Sequence, residues 1–149
     1  MVNYLIEFIR YLQYSEIMVE KQIPRFLRYW FPVLFYCLII FVQSSYPTVK
    51  ETYDLPHIDK LLHLAGYALL GMLFLRGFRN SRFKNDFPLI RTASILLTAI
   101  YGATDELHQH YVPYRTADIW DIFFDLSGGF LGVYIYQKLS EKYPRIGRI

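Results

Sequence analysis

Charge is scarce in this chain. Asp, Glu, Lys and Arg make up only 19% of its 149 residues, while 54% are hydrophobic. A water-soluble domain of this length rarely has so few charges, so composition points to a membrane. Cysteine is nearly absent. Cys37, inside an apolar run, is the single one; it excludes an internal disulfide and a cysteine-rich zinc site and leaves the redox compartment unread. Residues 1–23 carry Glu7, Glu16 and Glu20, and no small-residue cleavage site follows. No cleavable leader is therefore expected, and the first spanning helix should serve as an uncleaved insertion signal. Familiar enzyme signatures are missing as well. There is no HExxH, and no Arg, Ser-Gly-His and His set of the lipid-phosphatase kind. Beyond Ser44, Ser45, Thr104 and Thr116 no nucleophile stands out. The net charge of +3 is spread between apolar blocks rather than along one face, so no nucleic-acid partner is expected.

Four apolar blocks are present, at about residues 29–46, 60–78, 88–108 and 118–139. Each is close to the roughly 17–25 residues that span a bilayer as a helix. Short connections make sequence neighbours antiparallel. Aromatic residues reach 19%, which suits a chain anchored at two wet interfaces. The basic residues are one-sided. Thirteen of sixteen lie in the N-terminal segment, in the connection between blocks two and three, or in the C-terminal tail. Lys50, Lys60 and Arg115 are the remainder. The positive-inside rule then places both termini and the connection between blocks two and three in the cytoplasm. Polar residues recur near helical spacing over Val2–Glu20, with Leu5, Phe8, Ile9 and Leu12 between them, as in an amphipathic helix lying in the interface. The expected organisation is an all-α, membrane-embedded four-helix bundle with this interfacial helix in front. Residues 1–27 form the N-terminal segment, 28–139 the membrane domain and 140–149 a cytoplasmic tail.

Against that apolar background stands a string of ionisable residues. Charge at membrane depth costs about 2.5–3.5 kcal/mol per residue on insertion scales, so it marks a paired network or a functional site. Asp59, Lys60 and His63 open block two. Asp105, Glu106, His108 and Gln109 close block three, and Arg115, Asp118, Asp121 and Asp125 lead into block four. At 1.5 Å per residue, Gln43, His63, Asp105 and Asp125 each lie about 20–22 Å from the basic end of their own helix. One polar layer in which these four face each other is expected. Asp59, His63 and Tyr67 share a helical stripe, as do Tyr101, Asp105 and His108 or Gln109. Asp118, Asp121, Asp125, Gly129 and Gly132 form a third, and Gly128 with Gly132 makes a GxxxG pair suited to close helix approach.

Several chemistries fit these residue types. Mutual pairing could simply hold the helices in register. Arg115, Lys60 and His63 could instead grip a phosphate-bearing lipid head group, with nearby tyrosines along the lipid chain. The candidate ligand-binding residues are Asp59, Lys60, His63, Tyr67, Asp105, Glu106, Gln109, Arg115, Asp118, Asp121 and Asp125. For an enzyme acting on a lipid head group, Asp105, Glu106 and His63 are the candidate acid–base residues. Metal-ligand residue types occur among them, but no recognised metal spacing does, and no metal site or cofactor is assigned. Proton or ion transport is disfavoured, because the basic halves of these helices lack polar residues to continue a path.

At these residues the chain resembles the VanZ-like family. The resemblance is carried by Asp-Lys-Leu-Leu-His-Leu-Ala-Gly-Tyr at 59–67, Tyr-Gly-Ala-Thr-Asp-Glu-Leu-His-Gln at 101–109, and Val-Pro-Tyr-Arg-Thr-Ala-Asp at 112–118. Asp121 and Gly128–Gly132 complete it, over about residues 30–137. Two positions depart from the family pattern: Tyr114 stands where Gly is usual, and Asp125 where Asn is usual. The resemblance implies a multi-pass bacterial membrane protein with a cell-envelope role. Its name comes from a member linked to low-level teicoplanin resistance, which suggests membrane lipids and a lipid-linked envelope precursor or a glycopeptide as partners.

Overall fold

The computed structural model describes residues 6–11, 24–46, 58–113, 115 and 118–144. Four long helices dominate: α1 (Arg25–Ser44), α2 (Ile58–Arg79), α3 (Phe87–His110) and α4 (Ile119–Lys142). Their 20 to 24 residues give lengths of about 30–36 Å, enough for a hydrocarbon core of about 30 Å. No strand occurs among the described residues. Residues 6–11 are helical and exposed; the rest of the expected interfacial helix at Val2–Glu20 lies outside the described residues.

Local chemistry explains the helix starts. Asp86 caps α3 by accepting a hydrogen bond from the Leu89 N–H at 3.1 Å, with Pro88 in the first turn. Asp118 caps α4 by accepting from the Trp120 N–H at 3.0 Å. Asp59 falls in the first turn of α2, where a carboxylate favours the positive end of the helix dipole. Pro32 sits inside α1 and removes one backbone donor there, a loss that spanning helices tolerate.

The bundle is inverted relative to a water-soluble one. Its buried residues include Asp105, Glu106, Asp121 and Asp125, while Phe31, Leu34, Leu38, Phe123 and Phe130 are exposed. Apolar side chains outside and carboxylates inside is the arrangement a lipid solvent selects. Helices α1, α2 and α3 are each long and apolar enough to cross a membrane. Helix α4 is as long, and turns its two inner carboxylates toward its neighbours and an apolar face outward.

Sequence neighbours run antiparallel, but the most extensive packing joins α2 to α4, which run parallel. Small residues make it possible. A Cβ at Gly128 would overlap the Leu64 carbonyl oxygen, and one at Gly132 the Ala68 carbonyl oxygen. Gly71 meets Gly129 in the same seam, where a Cβ would come within 2.7 Å of the Gly129 oxygen. Helix α3 closes on this pair, with Thr98 against Gly129. Helix α1 is peripheral. Its inner face adds Trp30, Val33, Tyr36 and Cys37 to a core around Tyr67, Leu70 and Phe74. The Tyr36 hydroxyl donates to the Gly66 carbonyl at 3.2 Å, and the Tyr101 hydroxyl to the Cys37 carbonyl. A second core, around Leu75, Ile90, Val133 and Tyr136, fills the basic half.

Candidate polar site at the acidic end of the bundle

The acidic residues converge where α2 and α4 begin and α3 ends. Lys60 lies at the centre of the upper part. Its ammonium donates to Asp118 at 2.7 Å and to Asp121, and Asp59 stands 3.5 Å away. Exposure falls steeply along this ladder, from 61% for the Asp59 side chain and 40% for Asp118 to 8% for Asp121 and none for Asp125. The polar cluster is thus wet at one end and dry at the other. Asp118, on the wet side, has its carboxyl held below the usual carboxylate range, first by the Lys60 hydrogen bond and then by the Trp120 N–H.

Below Lys60, one residue from each of three helices meets. His63 of α2 shares a hydrogen bond of 2.9 Å between Nδ1 and Oδ1 of Asp125 on α4. Glu106 of α3 accepts the Asp118 backbone N–H at 3.1 Å through Oε2. His63, Glu106 and Asp125 each offer a ligand-type atom, and these atoms lie within 4.8 Å of one another. Gly102, one turn before Glu106, makes room: a Cβ there would come within 2.6 Å of Asp125 Oδ2.

A second chain of hydrogen bonds runs beside the first. Tyr67 stacks on His63, with ring centroids 6.1 Å apart and planes 5° from parallel. Its hydroxyl donates to Asp105 Oδ2 at 3.1 Å, and Gln109 Nε2 donates to the same oxygen at 3.0 Å. Gln109 Oε1 in turn accepts from Arg115 Nη1 at 3.0 Å. The rest of the guanidinium donates to the Tyr46 and Gln43 carbonyls, each at 3.0 Å. Arg115 therefore ties the end of α1 to the end of α3 through uncharged oxygens.

All eleven residues singled out from the sequence as ligand-binding candidates fall in these two adjoining networks. One other expectation differs. Gln43 does not join the layer through its side chain, which is exposed; only its backbone carbonyl reaches Arg115. Its neighbour Ser44 is the buried one. Helix α1 carries its strongly polar residues only at its two ends, Arg25 and Arg28 at one and Gln43 and Ser44 at the other, so none along its middle fixes which of the last two turns inward. His108 also lies apart, 3.0 Å from Ser45 Oγ and against the Phe41 ring at 4.7 Å, while Gln109 takes the buried place on the α3 stripe.

The hydroxyls give little support to a nucleophile. Ser45 donates its proton to the Phe41 carbonyl at 2.8 Å, which leaves none for His108 to withdraw. Thr104 donates to the Tyr101 carbonyl at 2.7 Å. Thr116, Ala117 and Tyr114 lie outside the described residues.

The family model described as VanZ/LLP1 matches residues 5–140 of the chain. No curated protein and no solved structure matches significantly. The match spans nearly the whole chain and includes every element of the polar networks, and three helices here suit a membrane by length and composition. The protein is therefore a helical membrane protein belonging to the VanZ/LLP1 family.

Proposed function

We propose that this protein resides in the bacterial inner membrane with both termini in the cytoplasm, and binds the phosphate-bearing head group of a lipid-linked envelope precursor at the acidic end of the bundle. The one-sided distribution of Lys and Arg supports the orientation. Arg115 carries the binding reading. Its three described hydrogen bonds go to neutral oxygens, so no carboxylate among them offsets its charge. Each guanidinium nitrogen donates once in these bonds, which leaves two of the five N–H groups for a phosphate. The amphipathic aromatics nearby, Tyr46 and Tyr111, are exposed and could follow the start of a lipid chain.

Native mass spectrometry of the detergent-purified chain tests this reading. A phospholipid or isoprenoid phosphate should co-purify with the wild type and be lost from Arg115→Gln. Arg115→Lys should retain it only in part, because an ammonium lacks the fork. Equal lipid occupancy in wild type and Arg115→Gln would reject the proposal. Family resemblance adds glycopeptide tolerance as a phenotype: expression should raise the teicoplanin concentration needed for inhibition, and Arg115→Gln should not.

A further inference from the structure

Two of the four buried carboxylates among the described residues have visible compensation. Asp121 receives Lys60, and Asp105 receives Tyr67 and Gln109. Glu106 and Asp125 differ. Each has a fully buried oxygen, Glu106 Oε1 and Asp125 Oδ2, with no hydrogen-bond partner. Glu106 is 4% exposed and Asp125 not at all. Lone pairs buried without a partner are disfavoured, and a charged carboxylate more so. These two residues flank the same imidazole, with ligand atoms from all three inside 4.8 Å. The fold also makes room for the arrangement, since any side chain at Gly102 would collide with the unpartnered oxygen of Asp125.

We propose that His63, Glu106 and Asp125 form a binding site for one divalent transition cation of the Zn²⁺ or Mn²⁺ class, contributed one residue each by α2, α3 and α4. One imidazole nitrogen and two carboxylates are borderline donors, which suit these ions better than an all-oxygen cage for Ca²⁺ or Mg²⁺. The surroundings position the donors. The Asp118 backbone N–H holds the second oxygen of Glu106 at 3.1 Å, and Tyr67 lies parallel to the His63 ring. Lys60 engages Asp118 and Asp121 just above, so its charge is directed to other carboxylates. The cation would lie on the dry side of the ladder and neutralise two acids that each keep one buried oxygen without a partner. This site needs no lipid, and it stands or falls separately from the head-group reading.

The test uses the full chain in detergent, stripped with a chelator and re-equilibrated with Zn²⁺ or Mn²⁺ alone. Elemental analysis after desalting should find one equivalent per chain, and the melting temperature should rise with added metal. Glu106→Gln and Asp125→Asn keep side-chain shape and should weaken binding by at least about tenfold. His63→Ala should abolish the melting shift. Glu141→Gln, exposed at the opposite end of α4 and outside both polar networks, should bind as wild type does. Co²⁺ added to the wild type gives a readout independent of variant folding: visible d–d absorption bands perturbed by imidazole coordination are expected. Substoichiometric metal in the wild type, binding unchanged by Glu106→Gln, or a Co²⁺ spectrum identical to that of the ion in buffer would each overturn the proposal and leave the acids neutralised by protons alone.

Discussion

Gly132 of α4 lies so close to the Ala68 carbonyl oxygen of α2 that a single Cβ would overlap it. Backbone atoms form the wall there, and they cannot move aside as a flexible side chain would. Lipid tails supply no hydrophobic drive for helix association, so this close contact is a main source of the α2–α4 attachment. Gly132→Ala should destabilise the folded bundle by about 1–3 kcal/mol, the usual cost of overpacking. Denaturation in mixed micelles measures it. Gly66→Ala is the control, because its Cβ would find only the Tyr36 hydroxyl at 3.7 Å and should cost little. Equal stability of the two variants would refute the packing argument.

Lys60 is predicted to be the residue whose loss harms the polar ladder most. It reaches Asp118, Asp121 and Asp59, and Asp121 is buried. Lys60→Met leaves that acid without its counter-charge, a change that typically costs about 3–5 kcal/mol when an ion pair is buried. Adding Asp121→Asn should restore part of the loss, since the orphaned charge is then removed. Melting temperatures of the two single variants and the double variant decide the matter. A strictly additive double variant would show that the two groups do not act as a pair.

The four helices were legible because each is a long apolar run closed by polar residues. The observed ends fall within a few residues of the sequence boundaries, and Asp86 and Asp118 supply the caps where α3 and α4 start. The α4 stripe was legible too, since Asp121, Asp125, Gly129 and Gly132 repeat at helical spacing and all four are buried. Other features were not. Helix α1 ends in two adjacent polar residues, and nothing in its apolar middle says that Ser44 rather than Gln43 is the one buried. The convergence of Glu106 with His63 and Asp125 depends on how far α3 approaches α4, which Gly102 controls. A lone glycine in a spanning helix carries no such message by itself. Nor did spacing distinguish His108 from Gln109, adjacent residues of which only Gln109 is buried.

Asp118 gives a prediction in pH. Its carboxyl is held below the usual range by Lys60, so it stays charged while ordinary carboxylates begin to protonate. A depressed folded-state pKa stabilises the protein above the unfolded value, and that contribution is lost as pH falls through the folded one. Asn caps a helix about as well as Asp, so Asp118→Asn removes the charge while sparing the cap. The melting-temperature gap between wild type and Asp118→Asn should be full at neutral pH. It should close only below the ordinary carboxylate range. A gap that does not change with pH would show that the Lys60 contact contributes nothing through charge.

Orientation is the prediction on which the head-group reading depends, and it can be checked without any ligand. Cys37 must first be replaced, and Cys37→Ser should be tolerated because the Tyr101 hydroxyl bonds the backbone carbonyl of that residue rather than its thiol. In this background, Lys50→Cys should react with a membrane-impermeant maleimide added to intact spheroplasts. Arg82→Cys, exposed in the connection between α2 and α3, should react only after permeabilisation. The reverse pattern would put the acidic end in the cytoplasm. The basic residues would then lie on the wrong side for the positive-inside rule, and an extracytoplasmic head group would have no access to Arg115.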